Sequence, residues 1–202
     1  MTPSSALVHV IDDDEAVRAS LSFLLETAGL ACRTWDSAVA FLGSDGCGSG
    51  DCIVTDVRMP GMTGLQLMSE LSARGMTTPV IMITGHGDVA MAVEALKRGV
   101  TDFLEKPFDD EALVAAIRDA LKKTANTAPT QGGGVFSTMV SSLSPRETEV
   151  LKGVVDGKAN KVIARELGIS PRTVEVYRAN VMTKTGARSL SELVRMSIQA
   201  GF

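Results

Sequence analysis

Short apolar runs alternate with amphipathic stretches through the first 124 residues, and this alternation restricts that half of the chain to a layered α/β architecture. Leu7–Ile11 has the apolar, β-branched character of a strand. Glu15–Ala28 has helical spacing, with Val17, Leu21, Leu24, Leu25 and Ala28 three or four residues apart. Gly29 then ends that helix by permitting a left-handed backbone. Ala31–Trp35, Cys52–Thr55, Val80–Ile83 and Thr101–Leu104 follow as further strands. Helical patterns fall between them at Ser37–Leu42, Gly64–Arg74 and Asp88–Arg98, and Asp109–Lys123 closes the series. Five strands alternating with five helices predict a parallel sheet covered on both faces. Right-handed crossovers make that a doubly wound fold.

A different composition begins at residue 125. Ala125–Ser142 carries no charge and contains Pro129 and the run Gly132–Gly134, which predicts a flexible linker. The domains expected are therefore 1–124 and 143–202, joined by 125–142. Their charges differ in sign. Residues 1–124 hold 10 Lys and Arg against 18 Asp and Glu, whereas residues 141–202 hold 10 against 6. Such asymmetry points to nucleic acid as a partner of the C-terminal half.

Other classes are excluded quickly. Hydrophobic residues at 45% and charged residues at 22% are ordinary globular usage, which leaves no room for a disordered, collagen-like or coiled-coil chain. Apolar stretches such as Pro79–Ile83 fall far short of the ~20 residues a membrane helix needs. The N-terminus lacks a basic segment and turns acidic at Asp12, unlike a signal peptide. Cys32, Cys47 and Cys52, odd in number and without CxxC spacing, make neither a disulfide framework nor a cysteine zinc site. A soluble cytoplasmic protein with no membrane partner is expected.

Polar residues in the first half collect at strand ends. Asp12 and Asp13 follow the first strand, Asp56 follows the third, Thr84 the fourth and Lys106 the fifth. The carboxyl edge of an open α/β sheet is where such folds bind ligands. Asp13 or Asp14 alone would serve as a helix cap, but five such positions on one edge imply a shared site. Clustered carboxylates repel unless a cation joins them, and oxygen ligands favour a hard ion such as magnesium. A lysine suits a phosphoryl oxygen, and an aspartate can act as a phosphoryl-accepting nucleophile. The residues thus predict magnesium-assisted phosphoryl transfer. Blander roles fit the rest: His9 as a structural residue within a strand, His86 as a neutral loop histidine, Gly46–Gly50 as a surface loop, Cys52 as a small buried hydrophobe, and most methionines as core filling.

The segments VIDDD (10–14), TDVRMPG (55–61), ITGHG (83–87) and EKPF (105–108) resemble the receiver domain of two-component response regulators over about residues 5–123. The resemblance implies a flavodoxin-like fold with Asp56 as phosphoacceptor. It implies magnesium, or another divalent cation, on Asp12, Asp13, Asp56 and the backbone carbonyl of Arg58. Thr84 falls on the family's switch threonine, Lys106 on its phosphate-binding lysine and Phe103 on its switch aromatic, and no separate organic cofactor is implied. The same resemblance implies a cis peptide between Lys106 and Pro107.

The C-terminal half is all helical in pattern. Ser144-Pro145-Arg146-Glu147 supplies a cap, a proline at the first helical position and a capping-box glutamate. That helix runs to about Asp156. Asn160–Leu167 ends at Gly168, a third helix begins at Ser170-Pro171 and runs to about Thr185, and a fourth spans Ser189–Ala200. Two helices separated by Gly168-Ile169-Ser170 form a helix-turn-helix pattern. Lys158, Lys161, Arg165, Arg172, Arg178, Lys184 and Arg188 concentrate on its second and third helices, the electrostatic footprint of duplex binding.

LSPRE (143–147), ANKVIA (159–164) and SPRTVEV (170–176) resemble the LuxR-type domain. This implies that Thr173–Lys184 is a recognition helix presenting Thr173, Glu175, Val176, Arg178 and Ala179 to the major groove. Asn160, Lys161 and Lys184 would meet phosphates. Glu175 would accept from cytosine N4 or pair with a nearby arginine. Together the two halves are similar to response regulators of the FixJ type. That implies a transcriptional activator rather than an enzyme, one whose aspartate is self-phosphorylating and slowly self-dephosphorylating. The implied partners are a sensor histidine kinase, double-stranded promoter DNA, RNA polymerase and a second copy of the chain on phosphorylation. Two rivals stand beside this. One is an aspartyl-phosphate phosphatase, which would carry a second aspartate where Arg58 stands; the other is an adaptor whose C-terminal bundle binds protein.

Overall fold

The structure is a computed structural model of the 202-residue chain and describes residues 6–48, 50–85, 89–125 and 139–202. Expectations for the N-terminal segment, for His86 and Asp88, and for Pro129 and Gly132–Gly134 of the linker lie outside the described residues. The chain divides into two compact units, residues 1–86 with 100–128, and residues 87–99 with 129–202.

The strands are β1 (Leu7–Ile11), β2 (Ala31–Trp35), β3 (Cys52–Asp56), β4 (Val80–Thr84) and β5 (Asp102–Glu105). The helices that follow these strands in sequence are α1 (Glu15–Thr27), α2 (Ala38–Leu42), α3 (Gly64–Ala73), α4 (Val89–Lys97) and α5 (Asp110–Ala125). All pairings are parallel, in the order β2-β1-β3-β4-β5. This is the flavodoxin-like doubly wound order, whose direction of winding reverses between β1 and β3. Three strands run one residue further toward their carboxyl ends than their apolar runs, because the ladder pairs Asp56 with Ile83 and Glu105 with Thr84. Pairing, not hydrophobicity, sets those ends.

Alternation along the strands builds two cores. Val8 and Val10, Cys52 and Val54, and Ile81 and Ile83 share one face with Leu21 and Leu25 of α1 and with Leu113, Ile117 and Ala120 of α5. The intervening residues Ile11, Ile53, Thr55 and Met82 are buried on the opposite face. His9 belongs there too, fully buried, with Nδ1 accepting a hydrogen bond from Trp35 Nε1 at 3.0 Å and its ring against Phe41. It is structural, as expected. Gly50 must be a glycine: φ is +106°, and a Cβ there would sit 2.6 Å from His9 Nε2.

Besides α4, the second unit contains α6 (Pro145–Val155), α7 (Asn160–Leu167), α8 (Pro171–Thr185) and α9 (Leu190–Gln199). Leu151, Val155, Val181, Ala187 and Leu193 form its core. α6 starts with the full capping box between Ser144 and Glu147, and Ser170 and Ser189 cap α8 and α9. α7 and α8 end on left-handed Gly168 and Gly186. No helix among the described residues is long and apolar enough to cross a membrane.

Candidate functional site

The winding reversal places the ends of β1 and β3 side by side at the carboxyl edge, and Asp12, Asp56 and Lys106 meet there. Asp12 directly follows β1 and is 3% exposed. One of its carboxylate oxygens accepts the Asp14 N–H at 2.9 Å, and its backbone carbonyl accepts Arg18 Nη1 at 2.7 Å. Asp14 is the helix cap, accepting from the N–H groups of Ala16 and Val17. That frees Asp13, which is exposed, for another role.

Asp56 ends β3. Its Oδ2 accepts the Arg58 N–H at 2.6 Å, and its Oδ1 accepts from Lys106 Nζ at 2.8 Å. The same ammonium lies 3.4 Å from Asp12 Oδ2. One lysine therefore bridges two carboxylates that reach the crevice from separate strands. The Lys106–Pro107 peptide is cis, and the Lys106 N–H donates to the Thr84 carbonyl at 2.7 Å. Thr84 is buried, its hydroxyl donating to the Gly85 carbonyl at 3.3 Å. Phe103 is buried within β5.

Electrostatics in the crevice are strained on the acidic side. Burial pushes the Asp12 carboxyl above its usual range, with the Asp56 charge adding to the rise, although the Asp14 N–H and Lys106 pull the other way. Burial would lower Lys106, but its hydrogen bond to Asp56 and the charges of Asp56 and Asp12 outweigh that and leave it raised. Among the described residues no group of three or more His, Cys, Asp or Glu side chains is gathered as a ready-made metal cage.

Two residues here carried no signal in the sequence reading. A Cβ at Gly64, the first residue of α3, would lie 2.5 Å from the Asp56 carbonyl oxygen, so only glycine lets that helix start against the β3 end. Arg18 ties the first turn of α1 to Asp12. An arginine six residues beyond an acidic pair, on the helix face turned back toward the strand, is the pattern that would have found it.

The second surface lies on α7 and α8. Glu175 and Ala179 are exposed, Val176 is 54% exposed, and Thr173 is half-buried, its hydroxyl 2.8 Å from that of Ser170. Arg178 is half-buried and donates to Asn160 Oδ1 at 2.8 Å, which joins α8 to α7. Lys184 lies 2.7 Å from Glu147 Oε2. Lys161, Arg165 and Arg172 are exposed and make no ion pair among the described residues. The expected cationic face is thus carried mainly by those three, while other cations of the cluster are paired: Lys158 with Glu166 and Arg188 with Glu192. Glu175 makes no ion pair with an arginine among the described residues.

A parallel sheet in this order, with a lysine-bridged aspartate pair at its carboxyl edge, followed by a helix-turn-helix, defines a class. The response regulator receiver domain family matches residues 8–118, and the luxR family of bacterial regulatory proteins matches residues 141–197. The chain belongs to the response regulators that join a receiver to a LuxR-type DNA-binding domain, and it is a transcription regulator.

Within that class it is similar to the transcriptional regulatory protein FixJ of Azorhizobium caulinodans, with 57% identity covering 98% of this chain and 95% of that protein. FixJ of Bradyrhizobium diazoefficiens is 50% identical, covering 96% of this chain and 95% of its own. Full-length FixJ from B. japonicum superimposes with a TM-score of 0.57 at 50% identity, covering 97% of each chain.

Proposed function

We propose that Asp56 accepts a phosphoryl group from a sensor histidine kinase, and that phosphorylation dimerises the chain and activates transcription from a promoter it binds. The lysine bridge carries this reading: Lys106 Nζ lies 2.8 Å from the Asp56 oxygen opposite the one held by the Arg58 N–H. The Asp56 carboxylate attacks phosphorus, the new P–O bond forms as the P–N bond of the kinase's phosphohistidine breaks, and the departing imidazole nitrogen takes up a proton from water. Lys106 offsets the charge gathered on the phosphoryl oxygens. The Thr84 hydroxyl turns from the Gly85 carbonyl to donate to one of them, and Phe103 repacks as Thr84 moves.

Asp12, Asp13, Asp56 and the Arg58 carbonyl would hold magnesium, or another divalent cation. The donor set fits: the Asp12 and Asp56 carboxylates share a single ammonium, which offsets only one of their two charges. A hard ion that keeps its waters needs only one or two carboxylates. When bound, it supplies charge neutralisation at the carboxylates and the phosphoryl group.

The division of labour follows the domains 1–124 and 143–202, with 125–142 as the linker. Thr173, Glu175, Val176, Arg178 and Ala179 are assigned to the major groove, with the Val176 methyls suited to a thymine methyl. Lys161 is assigned to a phosphate, and RNA polymerase is the downstream partner. The test is incorporation of radiolabelled phosphoryl from a small-molecule phosphodonor with magnesium. Wild type takes up label that Asp56→Asn loses entirely; equal labelling of the two chains removes Asp56 from the role.

A further inference from the structure

Glu147 is a nearly buried acid of the helix-turn-helix region: its side chain is 5% exposed. A capping-box glutamate needs only one acceptor oxygen for the cap, and Oε2 here takes two donors, the Ser144 N–H at 2.7 Å and Lys184 Nζ at 2.7 Å. Lys184 occupies the last turn of α8, 37 residues away in sequence. The same oxygen therefore closes the start of α6 and holds the end of the recognition helix.

We infer that Lys184 is a positioning residue, which sets the angle of the recognition helix through Glu147, and that it does not itself contact a DNA phosphate. This rests on the DNA-binding assignment of the C-terminal unit and refines it at one residue. The geometry favours it on two counts. Lys184 is less exposed than a freely solvated lysine, with 41% of its side chain accessible. Moving its ammonium to a phosphate would take from Glu147 Oε2, on a side chain 5% exposed, one of the two donors it holds at 2.7 Å, a charge-assisted hydrogen bond. Lys161, Arg165 and Arg172 carry no such obligation.

Salt dependence separates the two roles. Each phosphate contact contributes about one unit to the slope of log affinity against log salt, whereas a residue acting through helix orientation contributes none. The probe is a duplex selected by the wild-type full chain from a random-sequence pool, with the folded fraction of each variant set by helical circular dichroism. Lys184→Met and Glu147→Gln, the latter keeping an acceptor for the cap, should each weaken binding about fivefold to tenfold. Both should leave the salt slope at its wild-type value. The double variant should be no weaker than either single one, and Lys184→Arg should restore affinity. A slope reduced by about one in Lys184→Met, with unchanged or tighter binding by Glu147→Gln, overturns the inference and returns Lys184 to the phosphates. Additive losses in the double variant overturn it as well. Failure of the wild-type chain to select or bind any duplex defeats the underlying DNA-binding assignment instead.

Discussion

Three consecutive aspartates sit in three different settings, and backbone direction decides which is which. Asp12 is turned inward by the pleat at the end of β1, Asp14 turns back onto the helix amides, and Asp13 is left exposed between them. Asp14→Ala should cost about 1 kcal/mol in urea unfolding and leave phosphoryl uptake unchanged, as loss of a cap does. Asp13→Ala should do the reverse, weakening magnesium in a titration while stability holds or rises, because crevice carboxylates repel one another. Equal magnesium affinity in Asp13→Ala and wild type would place the ion elsewhere. Gly64 makes a different kind of demand. Gly64→Ala should gain helix propensity yet lose about 1–3 kcal/mol net, since its Cβ meets a backbone carbonyl that cannot yield without moving Asp56. Slower phosphoryl uptake should accompany that loss, and a stabilised variant with normal uptake would contradict the packing argument.

Among the elements, the helix starts are the most locally determined. Ser37, Thr63, Ser144, Ser170 and Ser189 each accept an amide hydrogen bond from the helix they precede, for the reason that makes serine and threonine good caps anywhere. The α6 cap is also pH-sensitive. The hydrogen bond from Lys184, with that of the Ser144 N–H, holds the Glu147 carboxyl below its usual value of 4.5. A carboxyl depressed in the folded state stabilises above its unfolded pKa and loses that contribution as pH falls through its folded one. Acid titration of unfolding free energy should therefore show wild type losing stability as pH falls below about 4.5. Glu147→Gln should start lower at neutral pH and decline less steeply. Parallel profiles for the two chains would mean that the carboxylate contributes no linkage.

At the scale of the whole molecule, the regulatory reading predicts an order of affinities. Residues 141–202 alone should bind the promoter without a phosphodonor, and the Asp56→Asn chain should bind weakly and ignore one. The phosphorylated full chain should bind tightest, because a helix-turn-helix reads half-sites about 10 bp apart and a dimer presents two modules at high effective concentration. The comparison requires one fixed salt concentration. Equal affinity of Asp56→Asn and phosphorylated wild type would remove the switch and leave the DNA-binding assignment standing.

The amino-acid sequence by itself determined what depends on local spacing and side-chain chemistry. The five strands and their parallel sheet follow from apolar runs separated by helical periodicity, the Ser144 and Ser170 caps follow from a serine before a proline at a helix start, and the crevice residues follow from polar positions at strand ends. Their helix-turn-helix counterpart was equally legible, down to Asn160–Leu167 as α7. Tertiary structure alone decided which cation meets which acid. Lys106 reaches Asp56 and Asp12 across 50 and 94 residues, and Lys184 reaches Glu147 across 37. Sequence shows charges but not their distances, and an ion pair depends on distance and burial. For the same reason Gly64 looked like an ordinary helix start, since the Asp56 carbonyl that forbids its Cβ arrives only when β3 and α3 pack.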